Sequence, residues 1–179
     1  MRKVLLLLFV LIYTNLTAQT NSYKVTMNGI ADFKIGMKKA AIEKLTGQPV
    51  KLKNLLSKNE WMMDTIAYKY KDLDISVIFN KKIIDDTNYD VILWGLICSS
   101  PLIKTSSGIV VGDDKIKIIT TYDSYRLLIT PDYENDNTVK SKTKSSIHLY
   151  TDDSSNQIVF RLENNKIYSI GVSEIEEYD

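Results

Sequence analysis

The chain has 179 residues, with 23 basic and 22 acidic side chains, one histidine and a formal net charge of +1. A balance so close to neutral argues against a nucleic-acid partner, which requires basic charge clustered on one face. The single cysteine, Cys98, excludes an internal disulfide. Stability must therefore come from packing, and a hydrophobic content of 44% is sufficient for a core.

The first 18 residues have the pattern of a secretory signal peptide. Arg2 and Lys3 precede an uncharged apolar run at residues 4–13, and a tail of small and polar residues ends at Ala18. The run is shorter than the ~20 residues that a spanning helix needs, and no cysteine follows it to carry a lipid. We expect cleavage after Ala18, which changes the net charge from +1 to −1 by removing two basic residues. The mature chain is expected in the periplasm or outside the cell, without a membrane span or lipid anchor.

Residues 19–104 are predicted to form a helix followed by three strands. Apolar side chains recur at spacings of three and four between Met37 and Gly47, which indicates a short amphipathic helix with a glycine stop. Residues 65–70 and 74–80 alternate on either side of a turn and predict a β-hairpin. Residues 91–98 are almost entirely apolar and predict a third, buried strand. Its last residue, Cys98, is expected to be a buried and inert thiol.

Residues 105–179 repeat this order. Asp113 and Asp114 precede an isoleucine-rich segment, which predicts a second helix with carboxylates at its positive end. Residues 132–146 are polar and predict an exposed loop, and residues 146–150, 157–162 and 166–172 predict a three-stranded meander. An offset of 76 residues aligns Gly36 with Gly112, as in an internal repeat.

These patterns predict an α+β protein made of two tandem units, residues 19–104 and 105–179. Each unit contains a short helical segment followed by about three antiparallel strands, with the helices packed on an antiparallel sheet. The length of the mature chain suits either one domain or two small halves that pack together.

The string at residues 33–49 resembles the opening of a known group of exported domains. It has an apolar-Gly-Met start at Ile35, Gly36 and Met37 and a Gly-x-Pro end at Gly47 and Pro49. It is similar to the β-lactamase-inhibitor-protein-like group, which includes the small lipoprotein of the outer-membrane β-barrel assembly machinery. The resemblance implies a helix pair on an antiparallel sheet, in tandem in the inhibitor proteins. The chain lacks the lipidated cysteine of the lipoprotein and the disulfides of the inhibitors, so we carry over the fold and no functional residue.

The residues do not form a recognisable catalytic or metal-binding pattern. His148 shares a strand face with Tyr150 and is expected to pack or face solvent, because a single histidine without cysteine partners is a poor zinc site. Acidic pairs at 85–86, 113–114 and 152–153 fit turns better than metal sites, and residues 132–137 lack the sixth-position glycine of a calcium loop. We expect no cofactor, no metal and no enzyme activity.

Aromatic and acidic side chains are the candidates for a protein interface. They are Trp61, in a polar region, and Tyr133, Glu134 and Asp136 in the predicted loop. The sequence favours an exported, soluble, non-enzymatic module that binds another protein of the cell envelope. A proteinaceous enzyme inhibitor or immunity-type protein that acts through the loop is the alternative, and a hydrolase is the third hypothesis. The identity of the partner and the oligomeric state stay open.

Overall fold

The computed structural model describes residues 22–53, 63–84, 88–134 and 138–175. Strands account for 57% of this part of the chain and helices for 11%. The predicted α+β fold, with helices packed on a sheet in two tandem units, is therefore wrong. Strands supply nearly all of the architecture, and the two helices found in the described ranges have only eight and seven residues.

The strands and helices occur in the following order along the chain. They are β1 (Tyr23–Thr26), β2 (Gly29–Ile30), β3 (Phe33–Lys34), α1 (Lys39–Thr46), β4 (Asp64–Tyr70), β5 (Leu73–Ile83), β6 (Tyr89–Cys98), β7 (Ile103–Thr105), α2 (Lys115–Thr121), β8 (Arg126–Glu134), β9 (Val139–Tyr150), β10 (Asn156–Glu163) and β11 (Lys166–Glu174). A small sheet has the order β3-β2-β1-β7, and a large sheet has the order β4-β5-β6-β11-β10-β9-β8.

The large sheet confirms most of the predicted strands. The alternating runs form the β4–β5 hairpin, and the apolar run forms β6 beside it. The predicted meander corresponds to β9, β10 and β11. The sequence did not indicate that β6 pairs antiparallel with β11, from Cys98 opposite Ile170 to Gly95 opposite Ser173. This pairing joins the two halves of the chain in one continuous sheet.

The hydrophobic core lies between the inner face of the large sheet and the small sheet. Phe79 and Phe160 of the large sheet and Phe33 of the small sheet are fully buried in one cluster. Each helix adds one buried side chain, Ile42 in α1 and Ile118 in α2. Because burial of apolar area is the main stabilising term, the strands and not the helices dominate the stability of the fold.

A pair of backbone hydrogen bonds fixes the chain just before α1. The Gly36 N–H donates to the carbonyl of Leu93 in β6, and the Leu93 N–H donates to the carbonyl of Met37, both at 2.8 Å. Gly36 adopts a φ of 83°, a left-handed conformation that favours glycine. The helix then ends as predicted at Gly47, which has a φ of 67°.

The same local arrangement precedes α2. The Gly112 N–H donates to the carbonyl of Ile167 in β11, and the Ile167 N–H donates to the carbonyl of Asp113, both at 2.9 Å. Gly112 has a φ of 99°. Asp114 caps the helix by accepting from the N–H of Lys117 at 2.9 Å. The 76-residue offset therefore corresponds to a shared turn and helix start. The strands that follow differ in number, since three strands of the large sheet lie between α1 and α2 and four follow α2.

Residues 132–146 do not form the predicted loop. They belong largely to a β-hairpin, in which β8 continues to Glu134 and β9 begins at Val139. Most side chains in this part of the two strands are exposed, so the polar composition reflects solvated strands and not the absence of secondary structure. Neither helix in the described ranges has the length and apolar character that membrane crossing requires.

We predict that α2 is anchored by Ile118 alone. Ile118→Ala should lower the free energy of unfolding by about 2–5 kcal/mol, because it leaves a cavity in the core. Ile116→Ala removes the same atoms from a side chain that is 71% exposed, against 0% for Ile118, and should change stability by less than about 0.5 kcal/mol. Urea denaturation of both variants measures the difference. Equal losses would contradict this packing.

Candidate functional site

The outer face of the large sheet, which points away from the small sheet, carries a groove of about 210 Å³. We call it the central groove. Gly95 of β6 and Gly171 of β11 lie in it, together with Trp94, His148 and Arg161. Within the described ranges, every residue that lines the groove belongs to a strand of the large sheet. The groove is thus built into the sheet itself.

The two glycines create the depression because they place no side chain on the outer face. A Cβ atom at Gly171 would lie 2.9 Å from the carbonyl oxygen of Leu96 and 3.0 Å from Nη1 of Arg161. At Gly95 the nearest atoms would be Cδ1 of Ile78 and Cβ of Ser173, both at 3.4 Å. A glycine inside a strand often marks the close approach of another group. At Gly171 that group is the guanidinium of Arg161.

A chain of side-chain hydrogen bonds crosses four adjacent strands at the groove. The Thr130 hydroxyl of β8 lies 3.2 Å from Nε2 of His148 in β9. His148 Nδ1 lies 2.8 Å from Oε1 of Gln157 in β10, and Gln157 Nε2 donates to Oγ of Ser173 in β11 at 3.3 Å. The tautomer that satisfies all these bonds carries its proton on Nδ1 of the histidine. The network fixes the orientation of each side chain.

His148 is held by hydrogen bonds at both ring nitrogens. Both ring nitrogens have neutral partners, Thr130 and Gln157, so neither is free to abstract a proton from a ligand. The ring stacks on Tyr150 with an interplanar angle of 11°. This confirms the prediction that the two residues share a strand face.

Arg161 is the positively charged side chain of the central groove. It is partly buried, and its Nη1 atom has no hydrogen-bond partner among the described residues. The neighbouring Ser146, opposite Arg161 in the β9–β10 register, donates instead to Oδ1 of Asp132 at 3.2 Å. The groove therefore combines a fixed neutral network with one cation.

The four predicted interface residues lie elsewhere or outside the described ranges. Trp61 and Asp136 are not among the described residues. Tyr133, 47% exposed, and Glu134 lie at the end of β8, and neither lines the central groove. The sequence analysis missed the groove, although Gly95 and Gly171 inside apolar strands were the signal for it.

Two other side chains that could carry chemistry, Cys98 and Asp113, lie outside the central groove. Cys98 is 1% exposed on the inner face, as predicted, and burial raises the pKa of its thiol. Burial also raises the pKa of Asp113, but hydrogen bonds from Lys117 and the Val110 N–H outweigh it, and the net pKa is lowered. The described ranges contain no group of three His, Cys, Asp or Glu residues placed to hold a metal.

A larger cavity, of about 490 Å³, lies beside β4 near Lys51, Lys53 and Asp64. Both carboxylate oxygens of Asp64 accept the backbone N–H of Lys53, at 3.0 and 3.1 Å. This bond holds the chain segment that follows α1 against β4. Residues 54–62, which continue from this segment, lie outside the described ranges, so we assign no site to the cavity.

Comparison with protein-family models, with curated proteins and with solved structures found no match to this chain. The resemblance of residues 33–49 to the β-lactamase-inhibitor-protein-like group therefore stays a prediction from the sequence.

We predict that substitution by alanine changes the stability differently at Gly171 and at Gly95. Gly171→Ala should lower the free energy of unfolding by about 1–3 kcal/mol, because its Cβ would overlap the Leu96 carbonyl and displace Arg161. Gly95→Ala meets only ordinary contacts and should be neutral or stabilising by up to about 1 kcal/mol, since alanine restricts the unfolded chain. Chemical denaturation of the two variants is the measurement. A neutral Gly171→Ala would contradict the close approach.

Proposed function

We propose that the chain is an exported recognition module of the cell envelope that binds another protein with the outer face of its large sheet. The observation that carries the proposal is the central groove. Among the described residues, its lining comes entirely from strands of the large sheet, and it contains oriented polar side chains. Export is proposed from the signal-peptide pattern of residues 1–18. No catalytic role is included in the proposal.

The composition of the outer face supports a protein partner. Trp94 and Arg161 line the groove, and these residue types are enriched among the side chains that dominate protein interfaces. Leu128, on β8 next to His148, is a large apolar side chain that is 47% exposed. Apolar, aromatic and arginine side chains on one face form the usual centre of a protein interface.

The fixed polar network supports binding because it reduces the side-chain conformational entropy that is lost when a partner binds. His148 and Gln157 are already held by hydrogen bonds to neighbouring strands. Each rotamer-rich side chain that is immobilised on binding costs about 0.5–1.5 kcal/mol. Side chains already ordered in the free protein reduce this cost, and a rigid sheet holds them in register.

The size of the groove supports a protein rather than a small ligand. Pockets for small molecules usually have volumes of about 300–1,000 Å³, whereas the central groove has about 210 Å³. A second depression of about 290 Å³ lies on the same side of the sheet, near Ala67, Lys69 and Ser76. Two shallow depressions on one extended face suit side chains from a protein surface better than one enclosed ligand.

Site-specific photo-crosslinking tests which face binds. A benzophenone amino acid in place of Ala67 or Leu128, which flank the outer face, should give a covalent adduct with the same envelope protein. The same substitution at Ala40, exposed on α1 behind the inner face, is the control and should give at least about tenfold less adduct, since cross-linking needs direct contact. Denaturing gel electrophoresis and mass spectrometry identify the product.

The identity of the adduct separates the hypotheses. An enzyme as the partner would favour the inhibitor hypothesis, which is one form of the proposed function. Equal yields from residues 40, 67 and 128, or adducts of twice the chain mass that contain only this protein, would overturn the proposal.

Export has its own test. We expect the chain recovered from the cell envelope or the medium to begin at Gln19 after cleavage. Leu7→Arg places a charge in the apolar run and should leave the full-length chain inside the cell, because a charge prevents insertion of this segment. Leu7→Ile keeps the apolar character and is the control. Intact-mass measurement of each fraction distinguishes the forms, and normal processing of Leu7→Arg would contradict export by this segment.

A further inference from the structure

We infer that the central groove receives a carboxylate, supplied by an aspartate or glutamate side chain of the partner protein, with Arg161 as its counter-charge. This inference rests on the proposed function, because it identifies the chemistry of the partner that docks on the outer face.

The surroundings of Arg161 provide the first argument. Its side chain lies over Gly171, with Nη1 3.0 Å from the position that a Cβ atom would occupy. Nη1 is buried and has no acceptor in the described part of the chain. The ion pairs found among the described residues involve other cations, namely Lys38, Lys39, Lys71, Lys117 and Lys144. Arg161 thus carries a positive charge for which these residues supply no counter-charge.

The physical cost of this arrangement gives the second argument. Moving a charge out of water is unfavourable unless the charge is paired and hydrogen-bonded, and charged groups in protein interiors are therefore normally paired. A partly buried guanidinium with an unsatisfied N–H group leaves part of this requirement unmet. An anion that contacts the partly exposed Arg161 side chain would pair its charge and would gain charge-assisted hydrogen bonds.

Nearby carboxylates are already engaged. Glu163, two residues along β10 on the same face, lies 3.9 Å from Nζ of Lys144 on the neighbouring strand. Asp132 accepts from Ser146, which lies between it and Arg161 across the sheet. Glu163 is thus paired with Lys144 and Asp132 is held by Ser146, and neither carboxylate forms an ion pair with Arg161 among the described residues.

A second donor in the groove favours a carboxylate. Ser173 Oγ accepts from Gln157, so its own hydroxyl hydrogen stays available to donate. Ser173 and Arg161 line the same groove. A carboxylate has two oxygens that can accept from different donors.

The charge of the site selects a carboxylate over a phosphate. Phosphate groups carry close to two negative charges and are usually bound by clusters of arginines or by helix N-termini. The central groove offers one guanidinium and neutral donors. A single negative charge matches it, and the small volume suits one inserted side chain.

Nuclear magnetic resonance titration tests the inference with a defined probe. The isotope-labelled chain, purified as the cell produces it, is titrated with N-acetyl-aspartate N-methylamide and with the neutral asparagine analogue. We expect the aspartate compound to shift the signals of Gly95, Gly171 and the Arg161 side chain and to bind at least about tenfold more tightly than the asparagine compound, since charge-assisted bonds are about twice as strong as neutral ones.

Matched variants assign the preference to one residue. Arg161→Gln should abolish the preference for aspartate. Arg126→Gln makes the same change on the same face, where the guanidinium lies over the Tyr150 ring, and should preserve it. Equal binding of the two compounds by the unmodified chain would overturn the inference without any variant, and so would an unchanged preference in a folded Arg161→Gln protein.

The two proposals fail in different ways. Cross-links from residues 67 and 128 to another protein, without a preference for aspartate, would overturn this inference and leave the proposed function standing. A preference for aspartate without such cross-links would overturn protein docking and assign the groove to a free carboxylate compound.

Discussion

The pairing of β6 with β11 is the constraint on which the rest of the structure depends. Only four residue pairs make it, from Cys98 opposite Ile170 to Gly95 opposite Ser173. It places Leu96 and Val172 on the inner face, where both are buried in the core, and it places Gly95 and Gly171 on the outer face. Because strand side chains alternate, a shift of one residue would exchange the two sets. The same register therefore determines both the core and the central groove.

Each half of the chain is tied to this central pair by its own turn. Gly36 and Met37 bond to Leu93 in β6, and Gly112 and Asp113 bond to Ile167 in β11. The turn explains why the sequence shows a 76-residue offset, and it also explains why that offset misled the fold prediction. What recurs is a short glycine turn with a helix start, whereas each helix buries a single side chain and cannot form a layer of its own.

The sequence predicted those features that depend on local pattern. Alternation in residues 65–70 and 74–80 was enough for the β4–β5 hairpin, and the glycine at residue 47 was enough to end α1, because neighbours along the chain decide both. The groove depends on cross-strand register, which brings His148, Gln157 and Ser173 together from three strands. No spacing along the chain encodes that contact, and the sequence therefore predicts only a packing or solvent-facing role for His148. The prediction of a loop at residues 132–146 was wrong for a different reason. The polar strands of the β8–β9 hairpin are solvated, and solvated strands have the composition of loops.

The outer face carries features that a sheet optimised for stability alone would lack. Glycine inside a strand is usually less stable than alanine by about 0.5–1 kcal/mol, and β6 contains Gly95 on this face, where a Cβ atom would meet only ordinary contacts. Arg161 adds a partly buried charge without a counter-charge among the described residues. Local choices that conflict with folding tend to occur at functional sites. Both features lie in the central groove, and a bound anion would pair the charge of Arg161.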